Sequence, residues 1–88
     1  MDNEDKITKL YMPAILKEYR LKAGVSQLQL ADSIGVTKSF ISALESGRKF
    51  PSIDLLVLIA EVLQVRAGDI INDMVEVADK EKNEKRIY

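Results

Sequence analysis

The stretch from Ser26 to Lys49, SQLQLADSIGVTKSFISALESGRK, constrains the fold more than any other part of the chain. Ser26 and Gln29 form an S-x-x-Q capping box, a reciprocal pairing that satisfies two orphaned backbone donors and predicts where a helix starts. Leu30, Ala31 and Ile34 then supply its buried face. Gly35 follows at once, where a turn of positive φ is cheap only for glycine. Val36 plugs that turn, and Thr37 is a good N-cap for the next helix, with Ile41 and Leu44 inward and Gly47 at its end. Two short helices across a tight turn, the second turning small polar and basic groups outward, have the helix-turn-helix geometry that enters a DNA major groove.

The flanks read as more helix. Pro13 suits a first turn and Gly24 a C-terminal stop, with Leu16, Tyr19 and Ala23 recurring on one face beside Ile15. Ile7, Leu10 and Tyr11 share helical spacing, which leaves open an earlier start with Pro13 near the beginning. Pro51-Ser52 opens a fourth helix, and Asp54 complements its dipole. From Leu55 to Leu63 every residue but Glu61 is apolar, so this helix needs cover on two sides. A fifth runs from Arg66 or Ala67, with Ile70, Met74 and Val77 on one stripe and Ile71, Val75 and Ala78 beside it. The expected fold class is all-α: a compact bundle of about five short helices. Residues 1–12 lead in as an extension, 13–78 form the domain, and the charged 79–88 read as a frayed tail in preference to a solvated helical extension.

Composition narrows the function. Eighty-eight residues make one domain; at this size only about 60–65% of the unfolded surface is buried, so stability is modest or helped by a partner. No run approaches the roughly 18 apolar residues of a membrane helix, and the acidic opening Met1-Asp2-Asn3-Glu4-Asp5 argues against a secretory signal. The absence of cysteine removes disulfides and thiolate metal sites and fits the cytoplasm. Without histidine or cysteine there is no triad and no thiolate nucleophile, and the carboxylates show neither metal-ligand spacing nor a glycine-rich phosphate loop. No enzyme, metal, cofactor or small-molecule ligand is expected. The net charge of −1 is unevenly spread: residues 13–49 carry six cations against three acids, whereas 50–78 carry one against five. That asymmetry points to a DNA face and an opposite face.

Ordered motifs add to this reading: LKEYR three residues before GVSQ, then LA-x-x-IGV, then T-x-S-x-IS-x-LE-SGR-x-x-PS, and finally IAEVLQV. In these the chain resembles the Cro and phage-repressor (XRE-type) family of DNA-binding proteins, over about Ala14 to Ile71. The resemblance implies a lambda-repressor-like bundle. The short chain is similar to restriction–modification controller proteins, small phage repressors and antitoxin-type autorepressors. The implied function is a sequence-specific regulator that binds a pseudo-palindromic operator in double-stranded DNA as a homodimer. The alternative is an antitoxin-like module holding a partner protein through the apolar surface of the fourth and fifth helices.

With Ile41 and Leu44 inward, Lys38, Ser39 and Ser42 face outward and are the expected base contacts. Phe40 is a secondary candidate, either against a thymine methyl or packed on the second helix or the turn. Gln27 follows the Ser26 cap, and in the family the matching glutamine touches the DNA backbone and braces the recognition helix. Ser26, Thr37, Ser46, Arg48 and Lys49 complete the expected phosphate contacts, although Arg48 and Lys49 also suit a helix C-terminus electrostatically. The family pattern pairs Arg20 with Glu45, an architectural tie between the first helix and the recognition helix. Leu55, Leu58 and Val62 carry apolar groups where relatives are more often polar, as does Leu28. Either the C-terminal segment covers that stripe within one chain, or Leu55, Leu58, Val62, Ile71, Met74 and Val75 form a two-fold dimer interface. Acidic Glu45 and the fourth and fifth helices also offer a surface for RNA polymerase.

Overall fold

The computed structural model describes the backbone of residues 3–86 and the side chains of residues 7–82. Local caps set the middle of the molecule. Five helices follow in order: α1 (Asn3–Lys22), α2 (Gln27–Ile34), α3 (Lys38–Ser46), α4 (Ile53–Val62) and α5 (Ala67–Arg86). No strand occurs among the described residues. Ser26, Thr37 and Ser52 each accept a hydrogen bond from the backbone N–H three residues on, which fixes the starts of α2, α3 and α4. Gly35 turns the chain at φ 76°, and Val36 N–H closes back on Ala31 O at 3.0 Å. Beneath these helices lies one core of Leu16, Leu30, Ile41, Leu44, Leu56, Ile59, Leu63 and Ile70.

The outer helices depart from expectation. α1 begins ten residues before Pro13, which lies inside it, so residues 3–12 are helix and not a separate extension. An interior proline normally costs a helix about 3 kcal/mol; here tertiary contacts hold the helix across it. Ile7, Tyr11 and Met12 pack on the core, and the Pro13 ring lies beside the α3 terminus, its Cγ 3.5 Å from where a Cβ on Gly47 would sit. α5 likewise runs helical through Arg86, which overturns the frayed tail at 79–86; Ile87 and Tyr88 lie outside the described residues.

Two phenol–carboxylate pairs clamp α1 to α5. Tyr11 donates to Glu81 and Tyr19 donates to Asp73. Eight residues separate the members on each helix, in opposite directions, so the helices are antiparallel. The hydrogen bond to Asp73, burial, and the charges of Asp73, Asp69 and Glu18 push the Tyr19 phenol up to about 12, so it stays a neutral donor at ordinary pH.

α4 ends without a glycine. Gln64 takes the left-handed conformation, φ 61°, while Val65 N–H donates to Ala60 O at 2.9 Å. A side chain in that region is strained by about 1 kcal/mol or more. Gln64→Gly is therefore expected to raise stability by up to about 1 kcal/mol, net of glycine's entropic cost. The urea midpoint at constant slope reads this; a lower midpoint contradicts it.

Candidate nucleic-acid interface

The outward side of α3 depends on what holds its inward side. Ile41 is 1% exposed and Leu44 2%, so the helix is pinned from beneath. Opposite them Lys38 and Ser39 are exposed at the N-terminal end, and Ser42 is half-buried one turn on. The Thr37 hydroxyl accepts from Phe40 N at 3.0 Å, which caps the helix. Phe40 follows the packing alternative: its ring is half-buried against the core, and the Lys49 ammonium lies 5.7 Å from its centroid. The ring thus forms a platform under a cation, within cation–π range. Ser46 donates to Ala43 O at 3.3 Å and accepts from Arg48 Nε at 3.0 Å, so the Arg48 side chain folds back along the α3 terminus.

A buried ion pair locks α3 to α1. Arg20 is 6% exposed, and its guanidinium spans Glu45 with two bonds, Nε to Oε2 at 2.6 Å and Nη2 to Oε1 at 3.0 Å. Its Nη1 donates to Val25 O at 2.9 Å, so the fork also holds the chain just before α2. Gln27 Nε2 donates to Glu45 Oε1 at 3.0 Å, which places the amide of α2's first residue against the end of α3. Burial pushes the Glu45 carboxyl up, but hydrogen bonds from Arg20 and Gln27 and the charges of Arg20 and Lys17 outweigh it, holding Glu45 below its usual value. One carboxylate thus ties three elements together. Ser26 is committed to its capping box: its hydroxyl accepts from Gln29 N at 3.0 Å while its own N–H donates to Gln29 Oε1 at 2.8 Å.

Around the molecule from this face, α4 and α5 leave an apolar patch uncovered. Leu58 (46%) and Val75 (45%) are exposed, as is Ile71. The expected patch needs correction at Met74, which is only 6% exposed and packs in the core, because Ile70 and Met74 form the side of α5 turned toward the other helices. Leu55 and Val62 are half-buried against the same core. Val57, which the spacing argument missed, is exposed instead. Glu61 is exposed four residues after Val57, on the same side of α4.

Sequence reasoning placed Tyr19 on the packed face of the first helix but missed its pairing with Asp73, since a contact across 54 residues leaves no local trace. Among the described residues no group of three or more His, Cys, Asp or Glu is placed to hold a metal ion. No described helix is long and apolar enough to cross a membrane.

Residues 16–70 match the helix-turn-helix family profile. An HTH-type transcriptional regulator of Methanothermobacter thermautotrophicus is 42% identical over 52 residues, 59% of this chain and 75% of that protein. Among solved structures, the clp gene regulator ClgR from C. glutamicum superposes with a TM-score of 0.73 at 27% identity, over 80% of this chain and 91% of that one. A variant of the restriction–modification controller protein C.Esp1396I gives a TM-score of 0.70 at 26% identity, over 84% and 91% respectively. With the profile covering α2, α3 and α4 and the same fold recurring in these regulators, the chain belongs to the XRE-type helix-turn-helix family of DNA-binding transcriptional regulators.

Proposed function

We propose that the chain binds a pseudo-palindromic operator in double-stranded DNA as a cytoplasmic homodimer and regulates a promoter close to its own gene. The observation that carries this reading is the uncovered N-terminal side of α3, where Lys38 and Ser39 stand free above Ile41 and Leu44. Lys38, Ser39 and Ser42 read base edges, lysine donating to guanine and serine to several bases. Gln27, Thr37, Ser46, Arg48 and Lys49 flank that side and meet phosphates, with backbone N–H groups at the α2 N-terminus helping. Val57, Leu58, Ile71 and Val75 cover one another across a two-fold axis, which sets half-sites about 34 Å apart. Bound over a promoter, such a dimer represses. Bound just upstream, its acidic α4–α5 side (Asp54, Glu61, Asp69) can meet polymerase. The apolar patch also suits an antitoxin-like role, in which a partner protein takes the place of the second copy.

Selection of bound duplexes from a random pool, followed by footprinting, gives half-site sequence, spacing and symmetry together. Lys38→Ala is then expected to relax preference at one half-site position by about 1–3 kcal/mol. Lys49→Ala weakens all sequences alike and lowers the salt slope by about one. Identical behaviour of the two variants, or a pool with no enriched sequence, contradicts the reading. A species that sediments as a monomer at tens of micromolar and associates only with a co-expressed protein favours the antitoxin-like role.

A further inference from the structure

Tyr19 and Arg20 are neighbours on α1 and hold different helices. Arg20 grips Glu45 in the last turn of α3, while the Tyr19 phenol grips Asp73 on α5. In sequence Asp73 lies between Ile71 and Val75, two of the exposed apolar positions of α5, so the clamp holds the same stretch of helix from its inner side. Two successive residues of one rigid turn therefore connect the recognition helix to the patch through which two copies would meet. We infer that Tyr19, acting through Asp73, is a positioning residue that sets the placement of α5 relative to α3 and so fixes which half-site spacing the dimer accepts. This rests on the dimeric operator reading above.

The reason lies in direction. The apolar contacts of Ile70 and Met74 hold α5 against the core but are non-directional, so they fix its distance from the core more firmly than its small shifts and rolls along it. A hydrogen bond from a half-buried phenol to one carboxylate has a preferred length and angle, and removes that freedom. The second clamp, Tyr11 to Glu81, is exposed and further along the helix pair, so it orients the far end and leaves the placement beside Ile71 and Val75 to Tyr19. On DNA the consequence is large. Changing the spacer by one base pair moves a half-site by about 3.4 Å and turns it by about 35°, so play at α5 appears directly as tolerance of wrong spacings.

The test uses the full chain and duplexes carrying two selected half-sites at the preferred spacing, at one and two base pairs more or fewer, and one half-site alone. Wild-type protein is expected to favour the preferred spacing over its single-base-pair neighbours by tenfold or more. Tyr19→Phe, which keeps the ring and loses the hydroxyl, reduces that preference to about threefold or less. Its affinity for the single half-site stays within about twofold, which also reports a folded domain. Asp73→Ala behaves like Tyr19→Phe, and Asp73→Asn, which keeps an acceptor oxygen, restores the spacing preference. The inference is overturned if Tyr19→Phe retains the tenfold preference, if it weakens single and paired sites alike, or if wild type shows no spacing preference. Wild-type protein with no selective duplex binding overturns the operator reading as well, and that control tells the two failures apart.

Discussion

Glu45→Ala is expected to destabilise the domain by about 3–5 kcal/mol at neutral pH, because it strands a buried guanidinium. Arg20 is 6% exposed and its partner's side chain is equally enclosed. Once the carboxylate is gone, the remaining bond of the fork is to Val25 O, and the charge stays desolvated. A small domain holds only about 5–15 kcal/mol in total, so the variant sits near its unfolding threshold. Replacing both partners, as in Arg20→Met with Glu45→Leu, is expected to recover most of the loss, since apolar residues do not need the pairing. The repaired core still lacks the acceptor for Gln27 Nε2; the double variant therefore regains its urea midpoint and not its affinity for DNA. Acid gives an independent check. The folded Glu45 carboxyl is held below its usual 4.5, so its contribution is complete above that value and is lost as pH falls through the folded one. The stability gap between wild type and Glu45→Gln should accordingly narrow in acid. A gap that is constant down to pH 3, or a loss below 1 kcal/mol in Glu45→Ala, removes the lock.

The lock also marks how far the sequence could be read. Caps and turns were legible because their physics is local: Ser26 with Gln29, Gly35, Thr37, Gly47 and Ser52 stand where the chain turns or starts a helix. Ile41 and Leu44 were legible from spacing on a short amphipathic helix. The lengths of α1 and α5 were not, because Pro13 reads locally as a helix start and the charged run after Ala78 carries no apolar stripe to mark a packed helix; the contacts between α1 and α5 join residues remote in sequence. Gln64 showed no turn signal, since glycine is the usual mark of that conformation. On α4 the trouble was of another kind. A helix apolar nearly all round has no period to say which side is covered, so Val57 was overlooked and Leu55 and Val62 were placed further out than they lie. In the site itself, the outward residues of α3 followed from its inward ones. The Arg20–Glu45 tie came from family resemblance, and the side-chain partner of the Gln27 amide needed coordinates.

Leu44→Ala is expected to cost about 2–5 kcal/mol, the range for removing a buried leucine whose surroundings cannot fully close. Leu44 lies under α3 with Leu16, Leu30, Ile41, Glu45 and Ile59 around one small crevice, so the lost methyls open a void among side chains from four helices. No ionisable group is removed, and the deficit should hardly vary as pH falls from about 8 to about 3, whereas that of Glu45→Ala shrinks once pH drops below the usual carboxyl value of 4.5. The contrast with Ser39→Ala on the same nine-residue helix is the informative one. Ser39 is exposed, and its loss is expected to leave stability within about 0.5 kcal/mol while altering operator binding. One helix then divides into a side that anchors and a side that reads, five residues apart along the chain. If Ser39→Ala unfolds the domain and Leu44→Ala does not, the anchoring and reading sides are reversed, and no part of α3 is left to enter a groove.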